Sequence, residues 1–502
     1  MTKLVHILAT LSLVTFALLV FADNKADVDL WGNVGFVRAL PWQDGYHYTN
    51  TYSYTEKESA WINHEWGAEY LLYGAHALAG NRGLLALKVL LGFALLAIMH
   101  AAMRRAGVSG AVRYLLLLLI LSTIGYGFST RPHLFTYVLY ASFVYILMFR
   151  PMSSIATCIV LPLLGWIWAN LHGAYFIGLL LLLIHGVFSL RGPSATRGVP
   201  ARDAFISAGA FIALTFVNPY GPHLWEFMFQ SAAKMRPYLS EWGPFNPAQH
   251  FYEHVDFIVL VLVSSVALIF SPAPRGLRWL ILLVLWLAAG LSMRRNIPLF
   301  AITAGFVVAP HVERLAGASL QRITRQIPRG LLAALMAVFM FGSAWTAWTK
   351  NKVDPLEIEI DQDRFPTAVI QFLKMNDVAG NALVFFDWAE YAIWHLHPAC
   401  HVFLDGRYRS AYGVQSIEDY FNFLYLGPDW ARAIDDYPTD LVVIHRGNPV
   451  YRRMLEREDW IAIFGDSIAT LFVKASRHTA LIRAVETETA LLPPEIRTAH
   501  FP

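Results

Sequence analysis

The sequence predicts a mainly α-helical polytopic membrane protein that ends in an extracytoplasmic α/β domain. Three observations carry that expectation. Of the 502 residues, 56% are hydrophobic and 15% charged, against roughly 25% charged in a soluble domain. Apolar runs long enough to cross a bilayer recur along most of the chain. Charged residues thin out between residues 4 and 348 and return in the remainder, which separates a membrane part (1–348) from a linker (349–365) and a water-soluble part (366–502). The net charge of +3 is too small to argue for a nucleic-acid partner, and no basic cluster interleaved with aromatics forms such a face. Cys158 lies in an apolar run and Cys400 in the soluble part, a placement that makes neither a disulfide framework nor a zinc site.

The first element runs from Lys3 to Ala22. Val20-Phe21-Ala22 would serve as a signal-peptide cleavage site, but the apolar run is long enough to span, and it is read as an uncleaved first helix. Further spans are expected near 82–103, 110–127, 133–149, 154–170, 173–190, 203–218, 254–271, 277–292, 296–310 and 330–348, about eleven in all. Arginines set the orientation. Arg104, Arg105 and Arg113 share one loop, and Arg150 lies in the next on the same side. Arg191, Arg197 and Arg202 follow, then Arg275 and Arg278, then Arg314, Arg322, Arg325 and Arg329. That side is the cytoplasm, so the amino terminus is expected inside and the soluble part outside, in a bacterial cytoplasmic membrane. His64 to Ala79 reads as a helix too short and too charged to cross, lying in the interface within the first outer loop, 23–80.

The outer face collects the unusual residues. Arg131 and His133 lie in Ser129-Thr130-Arg131-Pro132-His133, and Asn170 and His172 in Asn170-Leu171-His172-Gly173. Arg294 and Arg295 lie in Ser292-Met293-Arg294-Arg295-Asn296, and a longer loop opens with Asn218-Pro219-Tyr220-Gly221. Ionisable groups at membrane depth cost of order 2.5–3.5 kcal/mol each and face a cavity or a partner. A single outer arginine can be a snorkelling side chain. Arg131, Arg294 and Arg295 together, against the positive-inside bias, suit a phosphate, which matches the rigid fork of guanidinium donors. A phosphate at this depth belongs to a lipid-linked substrate.

The first loop supplies acids. Asp27-Val28-Asp29-Leu30-Trp31 follows the first span directly, and two carboxylates one residue apart can act as a general base or share a divalent cation. Further on, Trp61-Ile62-Asn63-His64-Glu65-Trp66 joins interfacial aromatics to three polar side chains, Asn63, His64 and Glu65, that an aromatic belt does not require.

The order of these features resembles the GT-C superfamily of integral-membrane glycosyltransferases, and within it a large bacterial branch. The shared patterns are Asp27-Val28-Asp29-Leu30-Trp31, Thr51-Tyr52-Ser53-Tyr54-Thr55, Trp61-Ile62-Asn63-His64-Glu65-Trp66, Arg131-Pro132-His133-Leu134-Phe135, Trp168-Ala169-Asn170-Leu171-His172-Gly173, Arg295-Asn296 and Asp405-Gly406-Arg407. The resemblance covers nearly the whole chain. It implies transfer of a sugar from a polyprenyl phosphate or diphosphate carrier to a glycan, lipid or protein acceptor on the outer face, usually with inversion. It also implies that an acid of the first outer loop is the base: Asp29 by position, with Asp27 second. The adjacent Asp-Glu pair and the Pro-Pro-Leu segment of protein mannosyltransferases and aminoarabinose transferases are lacking, so the resemblance names no sugar. On this reading Arg131, Arg294 and Arg295 hold the leaving phosphate. His64, Glu65 and His172 fix the acceptor, the sugar or Asp29, and Asn63, His133 and Asn170 line the substrate site. A divalent cation between Asp27, Asp29 and Glu65 is the one cofactor considered.

The soluble part alternates. Helices are expected near 366–376, 416–425, 429–436 and 449–457, and strands near 382–386, 401–404, 440–445, 460–464 and 468–473, the pattern of a small α/β domain. It has no Gly-rich phosphate loop, reads as an acceptor-binding or regulatory lid, and carries His395, His397 and His401 as surface residues. Two rival functions use the same outer arginines. A flippase of lipid-linked sugars would need polar groups through the membrane centre, where the spans are largely Leu, Ile, Val and Ala. A non-catalytic protein that binds the lipid carrier would need no base.

Overall fold

The computed structural model describes residues 3–21, 23–38, 49–149, 152–190, 198–232, 236–350, 354–494 and 499–502. Ala22, Arg150, Arg191 and Arg197, used above to read cleavage and orientation, lie outside the described residues. The chain forms two compact units. The first comprises 1–24, 82–221 and 239–356, and the second 25–81, 222–238 and 357–502.

The first unit is helical. Each apolar run expected as a span forms helix. Among the described residues four helices are long and apolar enough to cross a membrane: Leu4–Phe21, Trp66–Arg105, Ser154–Leu171 and Arg329–Thr349. A fifth arises if Arg294–Val307 and Ala309–Gln326, bent by 59°, count as one. Gly110–Gly125, His133–Phe149, Gly173–Ser189, Val255–Phe270 and Leu277–Ser292 are apolar but shorter. A 16-residue helix rises about 24 Å, less than the ~30 Å hydrocarbon core, so length alone falls short of eleven spans. Ser153 caps the start of Ser154–Leu171 by accepting the Ala156 amide, and at its end the His172 side chain accepts the Ala174 amide. Ala201–Thr215 carries Arg202 and Asp203 in its first turn, which lowers its apolar character.

Small residues and hydroxyls set the packing. Gly165 leaves room for the Phe211 ring, which a Cβ there would strike. Tyr140 and Thr303 share a hydrogen bond of 2.6 Å, and Ser122 donates to Asp256 at 2.7 Å. The apolar stretch of Arg329–Thr349 is only 6% buried by protein. An apolar helix exposed to that degree is stable in lipid and not in water.

The helix Trp66–Arg105 is two helices joined at Ala79 and Gly80, whose dihedrals are non-helical. Gly80 has φ +59°, open to glycine at no steric cost. The segment before the break is the short helix expected from His64 to Ala79, and it belongs to the second unit.

The second unit is built on strands β1 (Glu359–Ile360), β2 (Gly380–Val384), β3 (Cys400–Val402), β4 (Leu441–His445), β5 (Trp460–Gly465), β6 (Ala469–Lys474) and β7 (Ala499–His500). Among the described residues β1 pairs with β7, and the others form one sheet in the order β3-β2-β4-β6-β5. Pairs β3/β2 and β2/β4 are parallel, and β4/β6 and β6/β5 antiparallel. Leu441 to Ile444 are all fully buried, which is why β4 reads as an unbroken apolar run.

The loop that follows the first helix meets this sheet. Tyr52 to Tyr54 run along the outer side of β3, with Val402 donating to the Tyr52 carbonyl at 2.9 Å and Tyr54 to the Val402 carbonyl at 3.2 Å. That covers an edge that would otherwise expose a row of backbone donors and acceptors. The alternating polar residues lock the register. Thr55 Oγ1 donates to the Phe403 carbonyl at 2.7 Å, and Tyr54 shares a bond of 2.8 Å with Thr439. The Thr-Tyr-Ser-Tyr-Thr pattern thus forms a parallel bridge, Ser53 to Val402, on the sheet edge. The histidines expected on the surface are half-buried in aromatic packing, a correction with a simple cause. His395 packs on Trp31 and Tyr391, and His397 on Tyr52, where imidazole serves as a flat partner.

Arg407 crosses from the sheet to the loop. Its Nε and Nη2 donate to Asp405 at 2.8 and 2.6 Å, and Nη2 donates to Asn50 Oδ1 at 2.7 Å. The guanidinium lies over the rings of Trp61, Phe36 and Tyr52 at 4.5, 5.0 and 5.1 Å. Substituting Arg407→Leu strands Asp405 as a buried charge, and the expected loss is about 3–5 kcal/mol, read as a lower melting temperature of the detergent-solubilised protein. Adding Asp405→Asn should recover a large part of it. A double variant no more stable than the single would show that the ion pair is not what is lost.

Candidate functional site

The residues singled out from the sequence divide between the units. Arg131, His133, Asn170, His172, Arg294 and Arg295 are in the first. Asp27, Asp29, Asn63, His64 and Glu65 are in the second.

In the first unit the arginines meet on a residue that the sequence left unremarked. Arg131 Nη1 and Arg295 Nη1 each stand 3.4 Å from the Glu241 carboxylate, one on each oxygen. Glu241 sits in a single 3-10 turn, Ser240–Trp242, and Arg294 to Asn296 form another. The two turns are tied by the Arg294 amide donating to the Gly243 carbonyl at 3.2 Å. Trp242 stacks beneath the Arg295 guanidinium at 4.3 Å. Arg294 turns aside, its Nη2 donating to the Ser240 carbonyl at 2.5 Å, with Glu253 at 3.9 Å. Two guanidinium groups thus converge on Glu241, with Arg294 in the adjoining turn beside Glu253, so the three arginines outnumber the two acids. An anion offering several oxygens could take the place of the carboxylate.

The other predicted residues of this unit hold turns. His133 Nε2 donates to the Gly127 carbonyl at 2.6 Å, and Asn170 Nδ2 to the Trp166 carbonyl at 2.9 Å. His172 ends a relay in which Trp168 Nε1 donates to Thr136 Oγ1 at 2.8 Å and Thr136 shares a bond of 2.9 Å with His172 Nδ1. Nδ1 also accepts the Ala174 amide at 3.2 Å, so the ring proton sits on Nε2.

In the second unit Asp27 is a structural acid. Its Oδ1 accepts the Asp29 amide at 3.0 Å and its carbonyl accepts that of Leu30 at 3.2 Å. Asp29 heads the helix Leu30–Arg38, its carbonyl accepting the Asn33 amide at 3.0 Å. Asn63 donates to buried Glu69 at 2.6 Å, and its Oδ1 accepts the Glu65 amide at 3.2 Å. His64 packs on Phe227 at 4.9 Å, with Glu65 at 3.8 Å. Asp27, Asp29 and Glu65 were considered as a cation site, and the structure does not gather them. Among the described residues no three His, Cys, Asp or Glu side chains are placed to hold a metal ion. Asp27 is turned to a backbone amide and Glu65 to His64.

Instead Asp29 shares its surroundings with two acids from far along the chain. Glu390 is buried in the helix Ala389–Leu396, and its Oε2 accepts the Gly32 amide at 3.0 Å. Burial, with the charges of Asp29 and Asp405, pushes the Glu390 carboxyl well above the usual carboxylate range. Asp405 is fully buried and matched by Arg407, and it also accepts Tyr412 Oη at 2.6 Å. Asp29 itself is half-buried. One signal could have revealed Glu390: it is the one acid in a helix whose residues Ala389, Tyr391, Ala392, Ile393 and Leu396 are apolar and buried. Glu241 gave no such signal, since its loop follows neither helical nor strand period.

No protein-family model matches the sequence, and no curated protein does. The similar solved structures include two membrane-protein chains. The archaeal oligosaccharyltransferase AglB from Archaeoglobus fulgidus, solved in complex with an inhibitory peptide and a dolichol-phosphate, matches with a TM-score of 0.54 at 8% identity, over 88% of this chain and 69% of that one. The arabinofuranosyltransferase AftD from Mycobacteria matches with a TM-score of 0.47 at 13% identity, over 94% of this chain and 40% of that one. At such identity the first likeness carries the fold. The chain thus shares the fold of AglB, in line with the fold that its sequence motifs lead one to expect.

Proposed function

We propose that this protein is a membrane glycosyltransferase that moves a sugar from a polyprenyl-phosphate-type carrier to an acceptor on the extracytoplasmic face. The observation that carries the reading is the convergence of Arg131 and Arg295, 164 positions apart in sequence, on the single carboxylate of Glu241. Arginines held in this way are an anion site with a placeholder in it. AglB, whose fold the chain shares, holds a dolichol-phosphate, a lipid-borne anion of the class this group would take.

In this scheme Asp29 is the base. Its carboxylate accepts the proton of the acceptor hydroxyl as that oxygen attacks the anomeric carbon. The bond from that carbon to the phosphate oxygen breaks, and the electron pair leaves with the lipid phosphate. Arg131 and Arg295 neutralise the charge that builds there. His172, with its proton on Nε2, is a hydrogen-bond donor for a sugar hydroxyl or phosphate oxygen. The eleven-span topology, with the amino terminus in the cytoplasm, belongs to the same proposal. The shorter apolar helices would cross together with their flanking turns in a locally thinned bilayer.

Two expectations test this. In membranes supplied with radiolabelled hexoses and pentoses on undecaprenyl phosphate, Asp29→Asn should lower transfer by about 10²–10⁴, the usual worth of a positioned base. Transfer that survives the substitution rules Asp29 out. Separately, Arg131→Ala and Arg295→Ala should each weaken binding of undecaprenyl phosphate in nanodiscs by about 1.5–3 kcal/mol, roughly 10- to 100-fold, and Glu241→Gln should strengthen it by removing the competing carboxylate. Equal affinity in all four proteins would refute the phosphate site. Lipid binding that depends on the arginines, with no transfer that depends on Asp29, would favour a carrier-binding protein without catalysis.

A further inference from the structure

The helix Leu30–Arg38 begins in an unusual way. Asp29 stands at its N-cap, since the Asn33 amide donates to the Asp29 carbonyl in the first helical bond. An aspartate there ordinarily folds its carboxylate over the amide of the second or third helical residue, and that bond typically contributes about 1 kcal/mol. The third residue is Gly32. Its amide goes instead to Glu390 Oε2 at 3.0 Å, a partner 358 positions away.

Two glycines make the slot for this acid. A Cβ on Gly32 or on Gly406 would run into the Glu390 carboxyl. The same Cβ on Gly406 would stand 3.4 Å from Asp29 Oδ1. The Glu390 and Asp29 carboxyl oxygens are therefore within about 6 Å of one another, the range in which like charges disfavour double ionisation. The shift of the Glu390 carboxyl above its ordinary range agrees with that geometry. A neutral acid still offers a carbonyl oxygen to the Gly32 amide.

We propose that Glu390 is a positioning residue for Asp29: it takes over the amide that Asp29 would otherwise cap, and so keeps the Asp29 carboxylate from being engaged by its own helix. The catalytic consequence rests on the reading of Asp29 as the base, while the capping exchange stands apart from it. What matters in Glu390 is then an acceptor oxygen at full side-chain length, and its charge is secondary.

Two conservative variants separate length from charge. Glu390→Gln keeps an acceptor oxygen at the same reach. Glu390→Asp keeps the acid but is one methylene short of Gly32. The probe is a water-soluble carbodiimide with glycine ethyl ester, applied at mildly acid pH to the full-length protein in detergent, with modification at Asp29 read by mass spectrometry and exposed Asp363 as the internal reference. Asp29 should couple in Glu390→Gln as in the wild type, and severalfold less in Glu390→Asp, where the Gly32 amide returns to it. Equal coupling in all three proteins overturns the proposal, as does a loss in Glu390→Gln with Glu390→Asp unaffected. Melting temperatures close to the wild type show that neither variant has lost its fold. In the transfer assay Glu390→Asp should lower turnover about 10-fold or more, and Glu390→Gln should stay within about threefold of the wild type. The acid limb of the pH–rate profile should move to lower pH in Glu390→Asp, because an amide bond favours the ionised carboxylate. Full transfer in Asp29→Asn would remove the catalytic reading and leave the labelling result to decide the capping exchange.

Discussion

The ion pair between Arg407 and Asp405 is the interaction on which the rest of the second unit depends. Taking both charges out of water costs several kcal/mol per ion, and it is recovered only with excellent geometry and filled hydrogen bonds. Here the fork of Arg407 meets both oxygens of Asp405, and Asn50 and Tyr412 supply further polar partners. Trp61, Phe36 and Tyr52 surround the guanidinium with ring faces. Arg407 and Asp405 come from the carboxyl-terminal part, whereas Asn50 and the three rings come from the segment that follows the first helix. The loop cannot leave without stranding a charge. That requirement fixes its course along β3, and with it the helix at whose head Asp29 sits.

The arginine group of the first unit follows a different logic. Its cations are half-buried, and each has an acidic or carbonyl neighbour already. Glu241 lies between Arg131 and Arg295, and Ser240 and Glu253 lie beside Arg294. Groups that carry like charge at membrane depth need such counter-charges to stay together. The carboxylate of Glu241 is singly charged and shared, so a doubly charged oxyanion would satisfy the same donors better. The turns that carry these residues are short and tied through backbone bonds. They therefore hold the cations in place at little entropic cost when a ligand arrives.

Much of this was legible in the sequence, and the reasons for success and failure are physical. Apolar runs become helices because their periodicity has no rival. The strands of the soluble part stand within a few residues of expectation because β4 and its neighbours are apolar, β-branched and bounded by turn residues. Helix ends were less legible. The apolar run read to residue 218, for example, leaves the helix after Thr215, so hydropathy overstates its length. The Thr-Tyr-Ser-Tyr-Thr pattern was visible, but nothing local says that its partner is Val402. Asp29, Arg131 and Arg295 stood out because their chemistry is costly where they lie. Glu390 and Glu241 did not, because each acquires its role from residues that are distant in sequence.

That last point bears on how three neighbouring acids come to differ. Asp405 is buried with its charge matched by Arg407. Glu390 is buried among acids, and its surroundings favour the protonated form. Asp29 alone of the three is partly open to solvent. Three carboxyl groups in one small region would repel one another if all were ionised, and the fold avoids this by giving each a different environment. The division depends on two positions without side chains. Gly32 and Gly406 admit the Glu390 carboxyl, and any larger residue at either would push it away. Asp-Gly-Arg is thus best understood as one device: its aspartate and arginine neutralise each other, and its glycine opens the slot in which a further acid sits beside Asp29. A sequence pattern that looks like a surface turn serves to set the chemical state of a carboxylate from another part of the chain.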